Sequence, residues 1–255
     1  MKNKDKSNAM TPSKTDQQQL TTEMNQADLQ AMFGDLNTND ISVPRLTVLQ
    51  GLSPEVADGL GKPGRLFIKG LNQEVGTEIE IIPILRSRSR IRWKDLDKGG
   101  GILCQSFDGK LGNGDPGGNC ETCSLSGWVD NKAPSCDLYE NVIVVLRQEK
   151  DWFPIALSGS RTKLKAMKDL NTLFMAEMIK RRPLFMKSYI VKVIEKTNKS
   201  NLRYFSFRIT MGNNNQVLPD EEVAKANQIF NQIKGKTISV QQEQTEGREP
   251  INEEI

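Results

Sequence analysis

The sequence contains no histidine. Catalysis by a Ser-His-Asp triad or a Cys-His pair, a His-Glu-x-x-His zinc hydrolase and a histidine-based nuclease are therefore excluded. No apolar run approaches the roughly eighteen residues that a bilayer-spanning helix needs, and the mean hydropathy is −0.52. The opening residues, Met1-Lys-Asn-Lys-Asp-Lys-Ser7, are charged where a secretory leader would be apolar, so the chain is expected in the cytoplasm with no membrane contact. Internal repeats are also missing. Carboxylate–metal chemistry remains open in principle through Glu78 with Glu80, Asp95 with Asp97, or Asp220-Glu-Glu222. Such groupings also arise on solvated faces and helix starts, and the expectation is a protein that is not an enzyme.

Cysteine is scarce and confined. The four residues Cys104, Cys120, Cys123 and Cys136 all fall in one Gly-rich segment, spaced C-x15-C-x2-C-x12-C. A two-residue gap lets two thiolates from one tight turn reach the same ion, and the flanking pair completes a tetrahedral set. Soft sulfur ligands favour zinc, and four protein ligands leave no open position, so the expected role is structural. Disulfides fit poorly without a secretion signal, and Asn119-Cys-Glu-Thr-Cys-Ser-Leu125 does not read as the strand-to-helix turn of a redox Cys-x-x-Cys. An iron–sulfur cluster is the remaining alternative.

Charge of either sign nearly cancels over the whole chain, at +3, but it is segregated. Residues 1–40 sum to −2, residues 147–210 to +10 and residues 218–255 to −4. A basic body with mildly acidic ends suits a protein that binds a polyanion through its centre.

The sharpest feature is Arg86-Ser-Arg-Ser-Arg-Ile-Arg-Trp93, which continues the strand-like stretch Ile79–Leu85. In an extended chain Arg86, Arg88, Arg90 and Arg92 share a face, forming a ridge of four guanidinium groups. Trp93 at its end would provide a surface on which a base could stack. The competing reading is a solvated or aggregation-resistant edge strand, but four like charges exceed what edge protection requires.

Around the ridge, strands are expected at 43–49, 65–69, 78–93, 139–146, 152–157, 186–195 and 202–211, with a final short one at 237–240. A basic amphipathic helix is expected over 160–174, carrying Arg161, Lys163, Lys165 and Lys168 and capped by Ser158 or Ser160. A second helix should span 219–234. In the 202–211 strand, Tyr204 and Arg208 fall on the face away from the apolar residues. Residues 1–40 and 241–255 read as flexible ends around one domain, 41–240, with the metal-binding insertion at 99–137. Trp152 is a further stacking candidate, whereas Trp128 is expected to pack the metal loop.

The order of elements, together with Leu157-Ser-Gly-Ser-Arg-Thr-Lys-Leu-Lys-Ala-Met-Lys-Asp-Leu-Asn-Thr-Leu173, resembles bacteriophage single-stranded DNA-binding (helix-destabilising) proteins over about residues 43–211. The resemblance implies an α+β, mainly β fold: an oligonucleotide/oligosaccharide-binding (OB) five-stranded barrel with an inserted four-cysteine metal loop and two or three peripheral helices. It further implies binding of single-stranded DNA with little sequence preference during replication or recombination, in the host cytoplasm. Arg86, Arg88, Arg90, Arg92, Arg161, Lys163, Lys165, Lys168 and Arg208 would neutralise phosphates, and Trp93, Trp152 or Tyr204 would stack on bases. The acidic tail Gln244–Ile255 resembles segments that recruit replication or recombination proteins. The alternative is a zinc-containing regulatory or interaction protein that binds duplex DNA or a polymerase, with the 160–174 helix in the major groove. An RNA target is compatible with the same groups.

Overall fold

The computed structural model describes residues 43–242 other than Asn131, Lys199, Ser200, Thr237, Ser239 and Gln241. The expected flexible ends, 1–40 and 241–255, lie outside these residues except for Gln242. Among the described residues the chain is mainly β, with eleven strands in one mixed open sheet and three α-helices. Strand β1 (Arg45–Val48) is followed by a one-turn helix, α1 (Pro54–Ala57), and by β2 (Leu66–Lys69) and β3 (Gln73–Gly76). The long β4 (Glu78–Trp93) leads into three short strands, β5 (Ile102–Ser106), β6 (Leu111–Gly114) and β7 (Gly118–Asn119). Next come β8 (Cys136–Leu146), β9 (Ile155–Gly159), α2 (Leu164–Ile179), β10 (Tyr189–Thr197), β11 (Arg203–Met211) and α3 (Asp220–Ile233).

The main path runs β3-β2-β1-β9-β8-β4-β5-β6-β7, and its β1–β9 contact is parallel. The first residues of β4 also pair with β10, which pairs with β11. This is a larger sheet than the five strands expected. Seven of the strands read from the sequence correspond to β1, β2, β4 and β8–β11; the cysteine segment, read as irregular, adds three short strands beyond β4, and β3 extends the opposite edge.

Two apolar layers sandwich the centre of the sheet. On one face Leu46, Val48, Ile79, Ile81, Val142, Val144, Ile155, Leu157, Val191 and Phe207 pack with Ala166, Met167, Leu170 and Phe174 of α2. These α2 positions recur at three- and four-residue spacing, which lays one stripe of the helix on the sheet. Phe174 meets the Tyr189 ring edge-on, with centroids 5.5 Å apart. On the other face Ile82, Ile84 and Val145 pack with Ala226 and Ile229 of α3. Helix α3 opens with Asp220, Glu221 and Glu222, acids that favour its positive N-terminal end. Arg147 ties it to the sheet, donating to Glu222 at 2.9 Å and to Glu80 at 2.8 Å. The candidate carboxylates Glu80 and Glu222 thus serve a structural ion network.

Helix α2 starts later than its amphipathic pattern suggested. Arg161–Lys163 form a 3₁₀ turn with Arg161 at φ 47°, and no side chain caps the entry at Ser160. Only Lys165 and Lys168 of the four basic residues lie on the α-helix, both exposed. Of the expected 237–240 strand, Val240 makes an isolated parallel bridge to Val43, and Thr237 and Ser239 lie outside the described residues.

Among the described residues no backbone ladder joins β1 to β11. Instead the carboxamide of Gln50, just after β1, accepts from the Phe205 N–H and donates to the Phe205 carbonyl, both at 2.8 Å. One side chain thereby replaces a strand pair across the seam. Gln50→Ala leaves both Phe205 groups without that partner, and the urea unfolding midpoint is expected to fall by the equivalent of about 1–3 kcal/mol. An unchanged midpoint would show that the seam carries no stability.

Candidate functional site

The position of the arginine ridge is set by a bulge in β4. Up to Pro83 the strand runs in simple register with β8, pairing Ile81 with Leu146 and Pro83 with Val144. The next partner pair is Leu85 with Ile143, so Ile84 is an extra residue. Proline has no N–H for a central ladder, and a bulge is where such a residue is tolerated. One inserted residue flips the faces. Ile79 and Ile81 are odd-numbered and Arg86, Arg88, Arg90 and Arg92 even-numbered, yet all of them stand on the α2 face.

The proximal half of the ridge is held by one buried carboxylate. Glu140 on β8, its side chain only 5% exposed, accepts from Arg86 Nη2 and from Arg88 Nε, each at 2.6 Å. Arg86 Nε also donates to Asn171 Oδ1 of α2 at 2.7 Å. The Arg88 side chain remains 52% exposed. The distal half reaches into the cysteine segment. Arg90 Nη1 donates to the Ser126 carbonyl at 3.2 Å, and Arg92 Nη1 to the Asp115 carbonyl at 3.1 Å and its carboxylate at 3.4 Å.

All four cysteines line one pocket, together with Arg92, Gly112, Gly117 and Ser126. None is in a disulfide. Cys104 sits on β5, Cys136 opens β8 opposite Arg92, and Cys120 and Cys123 occupy the turn between. Backbone bonds hold that turn, from Cys120 N–H to the Lys110 carbonyl at 2.7 Å and from Cys136 N–H to the Leu125 carbonyl at 3.0 Å. A Cβ at Gly112 would lie 3.0 Å from Cys104 Sγ and 3.7 Å from Cys120 Sγ, so the thiols crowd a backbone position that lacks a side chain. Burial pushes the Cys136 thiol up to about 11, against the opposing pull of Arg90. As placed, among the described residues no three Cys, Asp or Glu side chains stand in an arrangement that could hold a metal ion. The four cysteines nonetheless face one cavity as free thiols, a soft donor type.

Other expected residues lie apart from the ridge. Trp93 is on the opposite face, its indole N–H donating to the Tyr139 hydroxyl at 3.3 Å. Trp152 packs against the α3 layer with the Lys225 ammonium 4.6 Å above its ring. Trp128, expected to pack the metal loop, is 47% exposed. Arg161 makes a two-pronged bond to Asp137 at 2.9 and 2.8 Å. Lys163 donates to Thr47 Oγ1 at 3.2 Å, and burial, with Arg45 and Lys69 nearby, pulls its ammonium down to about 8. Tyr204 and Arg208 stand opposite Lys196 and Lys192 on the β10–β11 hairpin.

Glu140 and Asn171 were not singled out in the sequence. The signal for Glu140 was present, since a lone carboxylate in the apolar run 139–146 requires a cation partner. Replacing Glu140 by Gln leaves two arginines around an uncharged amide. Stability should fall by about 1–3 kcal/mol in urea titration; an unchanged midpoint would show that the clamp is energetically neutral.

Comparison with curated proteins and with solved structures finds no match. The family model of the Pam3 phage gp34-like proteins matches residues 14–239, most of the chain, which therefore belongs to that phage family.

Proposed function

We propose that this phage protein binds single-stranded DNA with little sequence preference, through the arginine ridge and the α2 flank beside it. The observation that carries the reading is the Glu140 clamp. A buried carboxylate takes one N–H from Arg88 and fixes that side chain while leaving it half exposed, so its remaining donors are pre-oriented for a phosphate. Lys168 lies one turn before Asn171, the α2 residue that touches Arg86, and extends the same basic surface. Trp128 is the better-placed stacking residue than Trp93 or Trp152. It is half exposed and two residues from Ser126, to which Arg90 bonds.

The sheet supports an OB-like reading. Its strands share the α2-facing core, and Gln50 brings β1 and β11 together at a seam. The duplex alternative needs a helix with a broad free face for the major groove. Helix α2 buries Ala166, Met167, Leu170, Phe174 and Glu177, and Lys165 and Lys168 are its exposed basic residues.

Within this reading the four cysteines hold structural zinc. The metal would cross-link β5, the 120–123 turn and the start of β8, in a segment with little apolar core of its own. Arg90 and Arg92 attach that segment to the ridge. The likeness to single-strand binders extends the proposal to replication or recombination in the host cytoplasm, with the acidic C-terminal residues as a contact for partner proteins.

Fluorescence anisotropy with labelled single-stranded and duplex oligonucleotides at two salt concentrations tests the binding. Tight, salt-sensitive binding that favours the single strand is expected, and binding to neither at low salt would refute it. Arg88→Ala should weaken binding to all sequences and reduce the salt slope by about one unit; wild-type values would make the ridge a solvated face. Elemental analysis should find about one zinc per chain, lost in Cys123→Ser; a native protein without zinc or iron would remove the metal assignment.

A further inference from the structure

On the face of the sheet opposite the ridge, four neighbouring strands each contribute one polar group: Asn141 and Ser158 are direct partners, and Ser89 and Arg45 stand two residues off on either side. Asn141 of β8 donates from Nδ2 to Ser89 Oγ of β4 at 3.0 Å and accepts from Ser158 Oγ of β9 at 2.7 Å. Arg45 of β1 stands on the same face, opposite Ala156 of β9. Ser89, Asn141 and Ser158 are 9%, 2% and 6% exposed, and polar side chains buried on a sheet require partners.

The group that completes the row is the carboxamide of Gln242. Its Oε1 accepts from Arg45 Nη1 at 2.8 Å, and its Nε2 donates to Ser158 Oγ at 3.1 Å and toward Asn141 Oδ1 at 3.4 Å. These contacts join the end of the described chain to three strands that are distant from it in sequence. Tyr139 stands directly opposite Ser89 in the β4–β8 register and accepts the Trp93 N–H, so an aromatic pair borders the row.

A primary amide presents an acceptor and a donor on either side of one carbon. Each nucleobase carries the same pattern on its Watson–Crick edge: N3–H beside O4 in thymine, N1–H beside O6 in guanine, the amino group beside N3 in cytosine and beside N1 in adenine. Arg45 offers a donor to the acceptor, while the Ser158 and Asn141 oxygens receive the donor. We infer that the Ser89–Asn141–Ser158–Arg45 row is a nucleobase-edge site, which Gln242 fills when no base is bound. It is separate from the ridge, taking a base rather than a phosphate, and because all four bases share the pattern it imposes little sequence preference. Only the choice of ligand rests on the nucleic-acid reading above.

The test uses full-length Gln242→Ala, which empties the row without touching its walls. Its affinity for oligo-thymidylate should rise about five- to tenfold over wild type, with the salt slope unchanged because the substitution alters no charge and the base meets Arg45 through an uncharged acceptor. Affinity for an abasic deoxyribose-phosphate strand of equal length should stay the same. Equal affinity of variant and wild type for oligo-thymidylate, or an equal gain on the abasic strand, would overturn the inference while leaving the phosphate reading intact. If neither protein binds any strand at low salt, the phosphate reading has failed independently, and thymidine titrated into Gln242→Ala with tryptophan fluorescence decides the site. Saturable quenching would support it, and no response would overturn it.

Discussion

One inserted residue in β4 decides which side of the sheet carries the charge. Without the bulge between Pro83 and Leu85, the even-numbered arginines would stand on the face opposite Ile79 and Ile81, beside α3. With it, they continue the face that holds α2 and the larger apolar layer. There they find Glu140 and Asn171 at one end and the cysteine pocket at the other. The same flip turns Ser89 and Trp93 to the far side, where they join Asn141 and Tyr139. Both candidate sites follow from that register change.

Much of this was legible in the sequence, and the rest was not for identifiable reasons. Periodicity gave the long ridge strand, the β10–β11 hairpin and the last helix, and a nearly continuous apolar run gave the 139–146 strand, which is buried along its whole length. The C-x2-C spacing pointed to a metal site; the structure lines one pocket with all four cysteines, though among the described residues no three are arranged to hold an ion. Trp93 was read as the stacking surface of the ridge because it adjoins Arg92, but as an odd-numbered residue of the same strand it falls on the other face, beside Tyr139. What alternation could not give was the bulge, since proline in a strand signals an irregularity without saying which residue is extra. Ser160 was a plausible helix cap, but the left-handed Arg161 interposes a 3₁₀ turn, which its charge pattern did not reveal.

The arginines differ more in role than their even spacing suggests. Arg86 and Arg88 share one carboxylate, whereas Arg90 and Arg92 bond to carbonyls of the cysteine segment. A charged ridge in a sequence is thus a set of positions, and the neighbouring strand determines which members are presented outward. Here β8 makes that selection, placing Glu140 opposite Arg88, Leu138 opposite Arg90 and Cys136 opposite Arg92.

The Gln50 seam has a consequence for motion. Two strands joined along their length separate residue by residue, and each lost bond leaves neighbours still in place. Here, beside the apolar layer that Leu46, Val48 and Phe207 share, one carboxamide bonds both polar groups of Phe205. A rotamer change at one side chain would release both bonds together, so the polar part of this seam is lost in one step and not bond by bond.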